Sequence, residues 1–173
     1  DDALPPDYVH PPAQLTAAAA GQGIRTCIQL HPGASLTFSD SDQFDTLVKR
    51  FEIAAEAGFT DFSVAFDDLP RELDDVDAEV YPSYIAGQVD FLNRLGPALN
   101  AAHPDAILGF VPQAYWSVDD RAAQDMAYYR EHLEPLFLVG WTGPEIISTT
   151  IGQADLDTYL DRMGRVPLLG DNY

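Results

Sequence analysis

Positive charge is scarce in this chain. Its 173 residues include 9 Lys and Arg against 28 Asp and Glu, which gives a formal net charge of -19. Such an acidic chain repels nucleic-acid backbones and anionic membrane surfaces. We therefore predict that neither nucleic acid nor a membrane is its partner.

Cysteine and long hydrophobic runs are also nearly missing. The one cysteine, Cys27, cannot form an internal disulfide, and because it lies in the apolar run 24–30 we expect it to be buried. No run approaches the roughly 18 consecutive apolar residues of a membrane span, and the first residues lack a signal region, so we expect a soluble chain. A signal peptide that had been removed would leave no trace, so secretion stays open and the localisation is unassigned.

Motifs for metals and phosphates are missing too. The histidines show no ligand spacing, no cysteine cluster exists, and no glycine-rich phosphate loop occurs. We therefore predict no catalytic metal and no cofactor.

Apolar residues are plentiful, at 46% of the chain, so a core of real size is expected. Hydrophobic periodicity and Gly or Pro punctuation predict strands that alternate with helices. The predicted strands are 24–30, 62–66, 106–111, 136–140 and 166–169, and the predicted helices are 14–22, one capped by 39–42 that continues to 57, 77–102, 119–131 and 150–163. This alternation is typical of parallel α/β construction.

Polar and aromatic residues follow every predicted strand. In chain order they are His31, Asp67-Asp68, Gln113 with Tyr115, Trp141-Thr142 and Asp171-Asn172-Tyr173. Because the carboxyl ends of parallel strands meet at one edge, where α/β proteins bind ligands, we expect these side chains to converge on one site.

The acidic pair Asp67-Asp68 is the most informative of these motifs. Strand alternation places Asp67 on the same side as Ser63 and Ala65, at the mouth of a buried strand. The chain's other acidic pairs follow no predicted buried strand and are interpreted as solvated acids: Asp1-Asp2, Asp74-Asp75 and Asp119-Asp120. The alternative for Asp67-Asp68 is that it merely caps the segment after the strand.

Several motifs together resemble one known family. They are Phe66-Asp67-Asp68-Leu69, Phe110-Val111-Pro112 with Tyr115, Trp141-Thr142-Gly143-Pro144 and Asp171-Asn172-Tyr173. In this order they resemble glycoside hydrolase family 84, the O-GlcNAcases and bacterial β-N-acetylglucosaminidases once called hyaluronidases. The resemblance spans nearly the whole chain.

The resemblance implies a parallel α/β fold of the TIM-barrel type. Family members have an eight-stranded β/α barrel, so we expect an incomplete barrel of about five β/α units here. Residues 1–173 are expected to form part of one catalytic domain, without its N-terminal strands and its last strand. Exposed barrel edges would then favour self-association.

The resemblance also implies an activity and a site. The family removes β-linked N-acetylglucosamine with retention, using the substrate's own acetamido group, so the expected partner is a glycan or glycoprotein that contains N-acetylglucosamine. Asp67 and Asp68 match the catalytic pair, with Asp67 accepting the acetamido N–H and Asp68 acting as acid and then base. Tyr115, Asn172 and Ile146 match substrate-binding positions.

Two alternatives stay open. The chain could be a non-catalytic or incomplete barrel that binds glycans or assembles with another chain, because no lysine precedes Asp1-Asp2 as in the family and Gly170 stands where the family has tryptophan. It could also be a β/α hydrolase that acts on sugars without an acetamido group, since one barrel fold hosts many chemistries.

Overall fold

The computed structural model describes residues 10–170, with side chains from residue 12 onward. Strands and helices alternate along the chain. The elements are α1 His10–Ala20, β1 Cys27–Leu30, α2 Ser41–Glu56, β2 Asp61–Ala65, α3 Asp75–Val80, α4 Tyr84–Ala102, β3 Leu108–Val111, α5 Asp120–His132, β4 Phe137–Trp141, α6 Gln153–Met163 and β5 Pro167–Leu169. The five predicted strands are confirmed, within a few residues at their ends.

The helix predicted over 77–102 is divided. α3 ends at Val80, and Ser83 begins α4 by accepting a hydrogen bond from the Ala86 N–H at 3.3 Å. Pro82 lies between them and has no N–H to continue the first helix. No helix within residues 10–170 is long and apolar enough to cross a membrane.

All five strands form one parallel sheet in the order β1-β2-β3-β4-β5. Ser63 of β2 is in register with Gln29 of β1 and with Gly109 of β3. Because the strands run in one direction, their carboxyl ends meet at one edge, which we call the carboxyl edge. The residues that directly follow the strands there are His31, Phe66, Pro112, Thr142 and Gly170.

Helices cover one face of the sheet through a series of aromatic contacts. Ring centroids lie 5.6 Å apart for Phe62 and Phe51, 6.3 Å for Phe66 and Phe91, 5.2 Å for Phe110 and Tyr129, and 4.8 Å for Trp141 and Tyr159. The helical partners belong in turn to α2, α4, α5 and α6. These fully buried rings hold each helix over the strands and form the core.

The opposite face of the sheet carries smaller residues. Ser63 and Gly109 are neighbours there, and a Cβ on Gly109 would lie 3.3 Å from Leu168 Cδ2 of β5. At β1 this face ends with Cys27 and Gln29, which are both exposed. This face therefore stays partly open along the β1 side.

The expectation that Cys27 is buried is wrong, because the residue is exposed. β1 lies at the end of the described sheet and pairs only with β2 there. Its alternate side chains Ile28 and Leu30 pack against the core, while Cys27 points to the face without helices. An apolar run does not reveal which strand lies at an edge.

A buried carboxylate joins the amino ends of β2 and β3. Asp61 is 6% exposed, and its oxygens accept hydrogen bonds from the Ile107 N–H at 2.8 Å, the Thr60 hydroxyl at 3.0 Å and the guanidinium of Arg25. Burial alone would raise the pKa of Asp61, but the hydrogen bonds from Arg25, Ile107 and Thr60 outweigh burial and hold this pKa below its ordinary value.

The low pKa of Asp61 predicts a pH-dependent contribution to stability. A carboxyl whose pKa is lower in the folded state stabilises the fold above its unfolded pKa of about 3.9 and loses that effect as pH falls through the folded value. We expect Asp61→Asn to lower the free energy of unfolding by about 1 kcal/mol at pH 7, a modest value because Arg25 is half exposed. In urea unfolding, the difference in unfolding free energy between the parent chain and Asp61→Asn should become smaller below about pH 4. Asp45→Asn, on the exposed side of α2, is the control. A difference in unfolding free energy between the parent chain and Asp61→Asn that grows in acid would contradict the low pKa of Asp61.

Candidate active site

The pair Asp67-Asp68 lies at the carboxyl edge, directly after Phe66. All five residues of β2 are buried, which holds the strand end rigidly. Asp67 is half-buried and Asp68 is exposed. The Oδ1 atom of Asp67 is buried and accepts no hydrogen bond from the described residues. The sequence-based prediction of a carboxylate at the mouth of a buried strand is confirmed.

Asp68 has a left-handed backbone, with φ of 59°. It is the only non-glycine residue with positive φ among the described residues. This conformation costs most residues with a side chain about 1 to 2 kcal/mol, and aspartate is one of the few that adopt it in turns. Because this backbone is not extended, side chains no longer alternate between the two faces of the sheet at Asp68. The Asp68 side chain therefore need not lie on the face opposite that of Asp67.

Side chains from both neighbouring strands contact the turn that carries the pair. His31, after β1, places Nε2 3.0 Å from the Asp67 carbonyl oxygen. Gln113, after β3, donates from Nε2 to the Leu69 carbonyl oxygen, and its Oε1 accepts from Arg121 Nη2 at 3.3 Å. The segment 67–69 is thus held from two sides.

The chain beyond the turn is anchored to α5 by an ion pair. Arg71 donates from Nη1 and Nη2 to the two carboxylate oxygens of Asp125, at 2.5 and 2.8 Å. Asp125 is 5% exposed. The hydrogen bonds to Asp125 raise the pKa of Arg71, so this guanidinium stays charged.

A second buried carboxylate ties α3 to the loop after β1. Asp77 is 1% exposed, and it accepts hydrogen bonds from the Phe38 N–H at 2.6 Å, the Ser39 N–H at 2.9 Å and the Ser39 hydroxyl at 2.6 Å. A small cavity of about 30 Å³ lies between this loop and the turn 67–69, beside Leu69 and Tyr84. Burial raises the pKa of Tyr84 to about 12.

The sequence alone only partly predicts the contacts of the buried carboxylates Asp125 and Asp77. Asp125 lies on the apolar face of α5, between Ala122, Met126 and Tyr129, and an acid at such a position signals a buried cationic partner. Nothing local identifies that partner as Arg71, which is 54 residues away in the chain.

The end of β3 and the end of β4 are joined at the predicted site. The Tyr115 carbonyl oxygen accepts the Thr142 N–H at 2.9 Å, and the Gly143 carbonyl accepts the Ser117 N–H at 3.2 Å. Trp141 donates from Nε1 to the Ser117 hydroxyl at 3.1 Å. The motifs around Tyr115 and Trp141 are therefore brought together, as the strand order predicts.

The two tryptophans have packing roles here. Trp141 is 1% exposed and lies in the core. Trp116 is half-buried and donates from Nε1 to Asp119 at 2.7 Å. The hydrogen bond from the Ala122 N–H and, to a smaller extent, the one from this indole N–H hold the pKa of Asp119 below its ordinary value. Asp119 also caps α5.

The three predicted substrate-binding residues differ in how far the structure describes their surroundings. Tyr115 is half-buried, and its ring lies 5.5 Å from that of Trp116 between centroids. Ile146 is 45% exposed in the loop after β4. Asn172, together with the pair Asp1-Asp2, lies outside the described residues.

A cavity of about 730 Å³ lies at the opposite edge of the sheet, beside the amino ends of the strands. Its lining includes Arg25, Glu52, His103 and Asp105, and none of the predicted site residues. Sites in parallel α/β folds lie at the carboxyl ends of strands, so topology places the candidate site at Asp67-Asp68 rather than in this cavity. Within the described residues, no group of three His, Cys, Asp or Glu side chains is arranged to hold a metal ion.

Known proteins resemble this chain along nearly its whole length. Residues 2–173 match a family model described as beta-N-acetylglucosaminidase. The O-GlcNAcase proteins of Rattus norvegicus and Mus musculus are each 27% identical over 162 residues. These matches cover 91% of this chain but 17% of either relative, so the chain spans a small part of their length.

A solved structure matches the fold. A variant of the Thermobaculum terrenum O-GlcNAc hydrolase superposes with a TM-score of 0.91 over 99% of this chain and 37% of that chain, at 23% identity. The five β/α units therefore correspond to part of a TIM-type barrel, as the sequence predicts.

Proposed function

Because the chain belongs to the beta-N-acetylglucosaminidase family, glycoside hydrolase family 84, we propose that it supplies the catalytic carboxylates of a retaining glycosidase. In this proposal residues 1–173 form part of the catalytic barrel. The substrate is β-linked N-acetylglucosamine on a glycan or glycoprotein. The edges formed by β1 and β5 are where further barrel strands pair.

The carrying observation is the buried, unpartnered Oδ1 of Asp67 at the carboxyl edge. Buried carboxylate oxygens are normally hydrogen-bonded, and Asp77 nearby shows the usual case with three donors. The described residues leave Oδ1 of Asp67 free to accept a hydrogen bond, and an amide N–H is a suitable donor. A substrate acetamido group supplies that donor.

In the first step the acetamido carbonyl oxygen attacks the anomeric carbon, and the bond to the leaving oxygen breaks. Asp68 gives its proton to that oxygen. Asp67 accepts the acetamido N–H and stabilises the positive charge of the oxazolinium intermediate. No enzyme nucleophile is needed, which is the substrate-assisted exception among retaining glycosidases.

In the second step water attacks the anomeric carbon on the face that the leaving group left. Asp68, now a carboxylate, takes the water proton, and the bond to the acetamido oxygen breaks. The product keeps the β configuration, and both carboxylates return to their starting protonation states. Because Asp68 is exposed, the aglycone and water can reach it.

Three other residues have binding roles in this proposal. Tyr115 contacts the acetamido carbonyl region, and its backbone is fixed by the bond to Thr142. Asn172 binds sugar hydroxyls, and Ile146 forms part of an apolar wall. These roles are the ones that the family resemblance implies.

The test is hydrolysis of 4-methylumbelliferyl β-N-acetylglucosaminide by the purified chain, beside the matching β-glucoside. We expect turnover of the first substrate and none of the second, because the glucoside lacks the attacking acetamido oxygen. Equal turnover of both would overturn substrate assistance and favour a different β/α hydrolase. Saturable binding of the sugar by a folded chain without turnover would favour the non-catalytic alternative.

A further inference from the structure

We infer that His31 and Gln113 are positioning residues that hold the turn 67–69, and with it the left-handed conformation of Asp68, in the geometry needed for proton transfer. The inference rests on the proposed function, since it concerns the same carboxylate pair. It adds two residues to the site that the family motifs do not include.

The left-handed conformation of Asp68 has contacts on both sides that can hold it. Aspartate adopts a φ near 59° more readily than most residues with a side chain, and because Asp68 is exposed, burial of its own side chain does not select this conformation. The backbone carbonyls on either side of it are held instead. Asp67 O faces His31 Nε2, and Leu69 O accepts from Gln113 Nε2.

The hydrogen bonds of His31 define its tautomer. The Gly33 N–H donates to His31 Nδ1 at 3.2 Å, so Nδ1 carries no proton. Nε2 therefore carries the proton of a neutral imidazole and donates it to the Asp67 carbonyl oxygen at 3.0 Å. Gly33 makes this bond from a φ of 94°, which its lack of a side chain allows.

Gln113 is oriented in the same way by a second contact. Its Oε1 accepts from Arg121 Nη2, which leaves the amide NH2 group to donate to the Leu69 carbonyl. His31 follows β1 and Gln113 follows β3, so the strands on both sides of β2 each contribute one donor. The turn is clamped at one carbonyl before Asp68 and at one carbonyl after it.

The test combines NMR with kinetics on four variants of the purified chain: His31→Ala, His31→Gln, Gln113→Ala and, as control, His132→Ala. His132 is an exposed histidine on α5, away from the turn. Glutamine at position 31 keeps one N–H donor and one acceptor, so it can replace both bonds of the neutral imidazole.

We expect the imidazole ¹⁵N shifts of His31 to show the Nε2–H tautomer in the parent chain. The backbone ¹³C shifts of Asp68 should show positive φ in the parent, His31→Gln and His132→Ala chains, and should lose this feature in His31→Ala and Gln113→Ala. If Asp68 keeps positive φ in both alanine variants while they remain folded, the inference is overturned.

The kinetic arm separates positioning from substrate binding. We expect His31→Ala to lower kcat about tenfold with little change in KM, and His31→Gln to restore it, because misplacing a reacting group by a fraction of an ångström slows the chemical step. Unchanged kcat in both alanine variants would overturn the inference while the glycosidase function stands. If the parent chain lacks turnover, the proposed function fails, and the NMR result alone decides whether the clamp exists.

Discussion

Replacement of Asp68 by asparagine is expected to lower kcat by about 10² to 10⁴-fold for an alkyl β-N-acetylglucosaminide. Asparagine keeps the shape of the side chain but has no ionisable proton to give to the leaving oxygen. The exposed position of Asp68 at the carboxyl edge is where an aglycone oxygen can reach it. Steady-state kinetics with this substrate and with an aryl glycoside provide the measurement.

The leaving group distinguishes the roles of the two acids. A nitrophenolate leaves without much help from an acid, so the loss in Asp68→Asn should be much smaller for the aryl glycoside. Asp67→Asn should slow both substrates by similar factors, because stabilisation of the oxazolinium does not depend on the leaving group. Asp75→Asn, in an acidic pair outside the site, serves as the matched control. Equal losses for both substrates in Asp68→Asn would contradict its role as the acid.

Removal of the Arg71 side chain is expected to cost about 3 kcal/mol of unfolding free energy, because it leaves the buried carboxylate of Asp125 without its partner. Arg71→Lys should recover only part of this, since lysine cannot donate two parallel hydrogen bonds to one carboxylate. Urea unfolding measures the effect, and Arg50→Ala on exposed α2 surface is the control.

The paired replacement Arg71→Met with Asp125→Leu tests the physical reason for that loss. Two apolar residues of similar size leave no unpaired charge, so the double variant should be clearly more stable than Arg71→Ala alone. A loss below about 1 kcal/mol in Arg71→Ala would place the pair among weak, solvent-screened ion pairs instead.

Much of the sheet could be predicted because its determinants are local. Neighbouring residues alone identify a buried strand where a short apolar run stands between turn or polar residues. The run 62–66, preceded by Gly58 and followed by Asp67-Asp68, is an example. Parallel order then follows from the intervening helices, which places Asp67, Tyr115 and Trp141 at the same edge.

The parts that could not be predicted depend on partners far away in the chain. Cys27 lies in an apolar run, and its exposure follows only from the edge position of β1. The turn that carries the left-handed Asp68 is contacted by His31 and Gln113, from two other loops. A single sequence shows each of these residues but not which of them meet.

The order of the strands in space repeats their order in the sequence, which bears on how the chain folds during synthesis. Each new strand, as it leaves the ribosome, finds the strand before it already available for pairing, with no need to wait for a distant segment. Residues in register on neighbouring strands are about 28 to 46 positions apart in the chain, so each pairing closes a long connection and is expected to be slow. The carboxylates of Asp67 and Asp68 are therefore positioned from the β1 side first, and the β3 contact follows only after about 45 more residues have been synthesised.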